Sequence, residues 1–411
     1  MPEGIPTVRR LGWLDALRAV AVLLVLYAHL TRYVFTGARA VTSEWLHAGT
    51  AGVMLFFLVS GYIIPASLER HGDLRTFWAG RVCRLWPLYI AVVAIAAFLP
   101  ASPEISARSL AAHASMLPFL LDVPLVTAVL WTLTFEMAFY LLVSALFALR
   151  LRRVEAPVAV LLVVLAVITA PLTNPAGTKL VPALIALAAG LAGVCSRRRW
   201  AVIAGGLTLV ALVSILLLSN MDPSHAWDGL LILAVMFTGT AIYRADTGQI
   251  PWWPVLITTS IVAAALLANW FAELRSLGAL TPHYMARSVI TLLVFGGAFA
   301  AGMATRRWRT PAWLARIGVL SYSLYLVHYV LLQVVGPRLH GLPGALAFLA
   351  VLFGICTLTY RYIELPGQRI GRAQHLAIPL QVKRALEPSR VSGAEDTDAR
   401  LVTRSTGRPE R

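Results

Sequence analysis

The sequence predicts an all-α protein, a polytopic bundle of about 10–12 transmembrane helices with both termini cytoplasmic. Three observations predict it. Of the 411 residues, 59% are hydrophobic and only 13% charged, roughly half the charged share of a soluble globular chain. The apolar residues gather in stretches near the ~20 residues needed to cross a hydrocarbon core. The arginines fall in every second connection, with sparse loops between, as the positive-inside rule requires of cytoplasmic loops.

Twelve apolar segments can be drawn, over about 12–34, 49–68, 84–101, 127–149, 156–173, 180–195, 201–219, 227–243, 252–271, 284–304, 312–335 and 343–362. Ten crossings result if two weak segments only dip into the bilayer, and the parity is even either way. The formal charge of +16 is carried almost wholly by arginine, Lys179 and Lys383 being the only lysines. It is explained by orientation in a membrane, so no nucleic-acid partner is expected. No cleavable signal peptide is expected, because the first apolar segment is long and many more follow. Cys83, Cys195 and Cys356 have neither a disulfide framework nor metal-ligand spacing, so no metal is expected. GxSxG, P-loop and HExxH patterns do not occur, which removes serine-hydrolase, ATPase and zincin readings.

The first segment, Leu14 to Leu30, carries Asp15, Arg18 and His29 inside an apolar run. At about 100° per residue, the eleven residues from Arg18 to His29 return to within about 20° of one helix face, about 16 Å apart along the axis. Charges at membrane depth face a protein interior or a wet cavity. Arg18 either pairs with Asp15 near the helix end or faces a site; His29, deeper, points to a site. In the second segment, Ser60-Gly61 offers a small surface for close helix approach. Arg81 and Arg84 follow, one turn apart at the cytoplasmic mouth of the third segment, before Trp86 and Pro87. They suit a grip on phosphate, or serve as ordinary orienting charge.

The connection from Ser102 to Thr127 is a longer external one. Its apolar patch, Met116 to Leu121, reads as an interfacial or re-entrant piece over a site. The fourth segment places Thr132, Glu136 and Tyr140 on one face, four residues apart. Glu136 there can balance Arg18, orient His29 or bind an acceptor hydroxyl, or belong to a structural ion pair. Late in the chain, Ser321, Tyr325 and His328 share a face, and Arg361 and Glu364 lie one turn apart at the final helix end, Glu364 reading as structural. From about residue 374 to 411 the apolar signal ends in a basic tail, expected to be disordered cytoplasmic sequence.

LDALRAVAVLLVLYAH, FFLVSGY, FWAGRVCRLWPLY, WTLTFEMAFY, SYSLYLVHY and YRYIELP, in this order, resemble the integral-membrane acyltransferase 3 family. The resemblance covers about Leu14 to Arg372, making residues 1–373 one acyltransferase transmembrane domain. It implies an enzyme that moves an acyl group, often acetyl, from acyl-CoA to a sugar hydroxyl of a glycan or a glycosylated natural product. The family's Arg-x10-His pattern falls on Arg18 and His29, its RxxR on Arg81 and Arg84, and its aromatic-Ser/Thr-Leu-x-x-Glu on Trp131, Thr132 and Glu136. Ala16 and Ala19 stand where glycine is usual, and Tyr62 where phenylalanine is usual. The catalytic set expected is then His29, Glu136 and Arg18. Arg81, Arg84, Asp15, Trp131, Thr132, Tyr140, Ser321, Tyr325 and His328 are expected to bind substrate. No cofactor is expected to stay bound; acyl-CoA is donor, a sugar-containing molecule acceptor, and the cell membrane the setting. Three other readings compete, one being a membrane receptor or scaffold, which would not need a cytoplasmic RxxR beside a buried His. A secondary transporter would use the buried Arg, Glu and His for substrate or proton coupling. A different polytopic acyltransferase would rest its chemistry on the late His328.

Overall fold

The computed structural model describes residues 12–99, 103, 105–151, 153–169, 180–219 and 228–371. The expected tail, 374–411, lies outside them. No strand occurs among the described residues. The long helices are α1 (Gly12–Tyr33), α3 (Ala48–His71), α4 (Leu74–Ala97), α6 (Trp131–Ala148), α9 (Arg199–Ser219), α10 (Asp228–Asp246), α11 (Trp252–Ser276), α12 (Pro282–Ala304), α13 (Ala312–Val335) and α14 (Gly341–Thr359). These ten are long and apolar enough to cross a membrane. Two short amphipathic helices, α2 (Thr36–Trp45) and α5 (Ala107–Ala114), sit in the Arg-poor connections. The helices α7 (Glu155–Thr169) and α8 (Leu180–Val194) have 15 residues each, about 22 Å of helix against a core of ~30 Å. They account for the two weak segments of the sequence.

Close packing follows the small residues. A Cβ on Gly61 would collide with the Met236 carbonyl, and one on Gly239 with that of Leu58, so α3 and α10 touch backbone to backbone. Gly318 likewise lies against the Asp15 carbonyl, which sets α13 directly on α1. Such crossings are how helices gain dispersion contact where lipid offers no hydrophobic driving force. At the arginine-rich end, Arg244 donates to Glu155 Oε1 from Nε (3.0 Å) and Nη2 (2.7 Å), and also to Glu69. Asp246 accepts from Arg306 and, at 2.5 Å, from the Tyr62 hydroxyl. The tyrosine that departs from the family pattern therefore has its own partner.

The structure moves two sequence boundaries. The third span starts at Leu74, not near 84, because Asp73 caps it, accepting from Thr76 N (3.0 Å) and Thr76 Oγ1 (2.9 Å). A capped start in a polar stretch is invisible to hydropathy. Arg81 and Arg84 consequently lie about 10 and 15 Å inside the helix, at 1.5 Å per residue, instead of at its mouth. The Met116–Leu121 patch is core, not an interfacial lid: Met116, Leu117, Leu120 and Leu121 are at most 2% exposed. Buried His113 anchors this turn, donating from Nδ1 to Ser109 O (2.8 Å) and accepting from Val126 N.

Candidate active site

One cavity and, beyond it, a pair of histidines lie between α1, α3, α4, α6 and α13. The cavity is narrow, about 80 Å³. Arg18, Arg81, Arg84 and Glu136 supply its charges, and Thr132, Tyr140, Ser321 and Tyr325 its other polar groups. The spacing within each motif explains this convergence: Arg81 and Arg84 are one turn apart on α4, and Thr132, Glu136 and Tyr140 form one stripe of α6. Tyr140 donates to Glu136. The Arg81 guanidinium stacks between the rings of Phe77 and Tyr140, 5.3 and 5.4 Å from their centroids, a cation–π clamp that holds its charge toward the cavity. Arg84 Nε is buried without a protein partner. Three guanidiniums face one carboxylate, so the compartment suits an anion.

Above the cavity, two histidines meet. His29 Nδ1 lies 2.9 Å from Val25 O and 3.4 Å from His328 Nε2. His328, fully buried, has its own Nδ1 2.9 Å from Leu324 O. A ring nitrogen facing a carbonyl carries the proton. His328 is then the Nδ1–H tautomer, its Nε2 a lone pair turned on His29, and His29 holds its proton on Nδ1 against both acceptors. This leaves His29 Nε2 as a lone pair without a partner among the described residues. Tyr329 closes one side, its ring 5.2 Å from that of His29. Between the cavity and the histidines stands Tyr325, whose hydroxyl accepts from Thr132 Oγ1 at 2.8 Å and donates to Val129 O at 3.3 Å. Its ring lies 5.9 Å from that of His328.

The sequence-derived residues thus separate into groups. Arg18, Arg81, Arg84, Thr132, Glu136, Tyr140, Ser321 and Tyr325 meet in the lower cavity. His29 and His328 meet above it. Glu136 is not brought to His29; its hydrogen-bond partner is Tyr140. Asp15 sits behind the cavity, 3.5 Å from Arg18, and Trp131 packs edge-on against Phe57 and Phe135. Three residues were not singled out from the sequence. Tyr322 lines the lower cavity and donates to Leu85 O at 2.8 Å; Tyr329 flanks His29; and Ser323 bonds the buried Glu364. All but Glu364 lie in the SYSLYLVHY run already noted, but the i, i+4 and i+7 stripe chosen there passes them by.

Comparison with known proteins gives the family. The family model described as an acyltransferase domain matches residues 11–191 and 180–361. The chain belongs to the acyltransferase 3 family. Among its relatives, the acyltransferase MdmB of Streptomyces mycarofaciens is 26% identical, over 90% of this chain and 95% of that protein. The O-acetyltransferase OatA of Staphylococcus aureus (strain NCTC 8325 / PS 47) is 33% identical over 25% of this chain and 17% of its own length. No solved structure matches. This acyltransferase is therefore a multi-pass membrane enzyme.

Proposed function

We propose that this acyltransferase moves an acyl group, acetyl in the simplest case, from acyl-CoA to a hydroxyl of a sugar-bearing acceptor, in the cell membrane. The observation that carries the reading is the pairing of an anion-binding compartment with an unprotonated imidazole nitrogen one arm's length away. The diphosphate of acyl-CoA, coming from the arginine-rich cytoplasmic side, is held by Arg18, Arg81 and Arg84. Arg18 and His29 are about 16 Å apart along α1, the order of an extended phosphopantetheine arm. With its diphosphate on the arginines, the donor carries its thioester past Tyr325 to His29.

The tautomer assigned above fits the chemistry. His29 Nε2 accepts the proton of the acceptor hydroxyl as that oxygen attacks the thioester carbonyl. The tetrahedral intermediate collapses, the C–S bond breaks, and the thiolate takes up a proton as CoA leaves. The same lone pair serves a two-step route through an acyl-His29 intermediate. His328 positions His29 by accepting from its Nδ1–H, and Glu136 with Tyr140 tempers the charge of the three guanidiniums. The name O-acetyltransferase borne by OatA supports an oxygen acceptor, and the external position of His29 suits an acceptor reached from outside.

The test is transfer of a labelled acetyl group from acetyl-CoA by purified protein to sugar-bearing acceptors drawn from the cell envelope and from glycosylated metabolites. Product is expected only with acetyl-CoA present and only with His29 intact. Acceptor movement across vesicles with no acyl-CoA present would favour the transporter instead.

A further inference from the structure

A second, larger cavity opens at the arginine-rich end, between α3, α6, α7 and α10, with a volume of about 880 Å³. That is within the ~300–1,000 Å³ of small-molecule pockets, and the mechanism so far makes no use of it. Its charges are Glu69, Arg150, Arg153, Glu155 and Arg244. Arg244 is spent on Glu155, Glu69 and Gln249. Arg150 and Arg153 make no ion pair among the described residues, so the cavity holds two uncommitted guanidiniums. Glu155 is 7% exposed, and while its Oε1 takes Arg244, its Oε2 is buried without a partner. Such an orphaned carboxylate oxygen is an acceptor awaiting a donor.

The cavity abuts the site. On α3 the lining passes from Ile64 in the narrow cavity to Pro65 in the larger one, and on α6 from Tyr140 to Val143. Both helices present consecutive turns to the two cavities. Tyr140 and Phe147, in the walls of the two cavities, are about 10 Å apart along α6, the order of the distance from a diphosphate across a ribose to its base.

We propose that this cavity is the seat of the adenosine 3′-phosphate end of the donor: Arg150 and Arg153 hold the 3′-phosphate, and Glu155 Oε2 accepts from the exocyclic amine of the base. The half-buried Leu146 and Phe147 in its wall receive the flat face of the purine. The inference rests on acyl-CoA being the donor and adds to it a recognition of the 3′-phosphate in a different cavity from the RxxR pair.

The experiment compares CoA with 3′-dephospho-CoA, measured as dissociation constants by calorimetry on the purified full chain in detergent. Wild type is expected to bind CoA at least tenfold more tightly. In the R150A/R153A double variant the preference is expected to fall to within twofold, through weaker binding of CoA and unchanged binding of dephospho-CoA. Both arginines are exposed, so the variant is expected to fold, and its unchanged dephospho-CoA affinity reports that it has. Equal wild-type affinity for the two ligands, or a preference that survives in the variant, would overturn the assignment. A wild type that binds neither ligand would remove the donor reading itself, a result distinct from binding both alike.

Discussion

Replacing His328 by Phe isolates the contact that ties the two histidines together. Phenylalanine keeps a ring of similar size at a position that is fully buried, but offers no lone pair to His29 Nδ1–H. Two neutral hydrogen bonds are lost, the one from His29 at 3.4 Å and the one from His328 Nδ1 to Leu324 O at 2.9 Å; only the first bears on His29, and such a bond is worth about 0.5–1.5 kcal/mol. His29 keeps its second acceptor, Val25 O at 2.9 Å, so its tautomer is still favoured. At 1.36 kcal/mol per tenfold, the expected fall in kcat is about 2- to 12-fold. His29→Ala removes the base itself, and about 10²–10⁴ in rate goes with it. His328→Gln, whose amide oxygen can accept from the same N–H, is expected to recover most of the loss. The assay is labelled acetyl transfer by purified protein, with kcat and KM determined separately and folding checked by thermal unfolding in detergent. If folded His328→Phe were as inactive as His29→Ala, the base would be His328 and the tautomer argument would fail. A near-wild-type rate in His29→Ala would sink the mechanism altogether.

Arg84→Ala is expected to weaken CoA binding by about 1.5–3 kcal/mol, the scale of a charge-assisted hydrogen bond, and Arg84→Lys by less, since a point charge keeps attraction but not the fork; calorimetry giving unchanged affinity for both would reduce the pair to orienting charge. Gly61→Ala forces α3 and α10 apart at the Met236 carbonyl, so thermal unfolding should show overpacking on the order of 1–3 kcal/mol. Gly354→Ala, with open space around its Cβ, is the control and should lose nothing. His113 lies outside the spans, and burial pushes its pKa below the ordinary 6.5, against a smaller opposing pull from the Ser109 carbonyl. The folded state thus binds fewer protons than the unfolded, so this contribution is complete above pH 6.5 and is lost as pH falls below it. The protection factors of residues 107–126, which are exchange rates divided into the intrinsic rate at each pH, should fall from about pH 7.5 to about pH 5, and an equal fall in His113→Gln would assign the effect elsewhere.

The spans were legible because a membrane helix must satisfy its backbone internally and its side chains by apolarity, so length and composition say almost everything. Where structure depends on caps and depth, less could be read. Asp73 launches α4 in a polar stretch that carries Arg75, and a side-chain cap leaves no hydropathy signal. Met116 to Leu121 is as apolar as a lipid-facing patch, and only its neighbours make it core. Helical periodicity put Arg18 and His29 in line on α1 and Thr132, Glu136 and Tyr140 in line on α6, and each stripe does face one region. It could not say that Tyr325 bonds Thr132 across the gap and divides that region in two. Arg150 and Arg153 read only as orienting charge, because the cavity they line is made by α3 and α10, about 80 residues away on either side of the chain.

The two rival placements of the chemistry, on an early histidine or on a late one, meet in a single structure. α1 and α13 both rise from the arginine-rich end, and Gly318 lets their backbones touch at Asp15. A contact at that end fixes the register of the pair, and higher up it sets the His29 and His328 rings 5.0 Å apart. Proximity therefore cannot choose between them; the direction of the hydrogen bonds can. Each ring gives its Nδ1–H to a carbonyl of its own helix, four residues back. His328 then turns its remaining nitrogen on His29, within a fully buried position. His29 turns its remaining nitrogen on nothing, from a half-buried one. Only a nitrogen with an unused lone pair and access to a reactant can take a proton from it. By that criterion the base we propose is His29, and the shared sense of the two Nδ1–H bonds makes His328 its support.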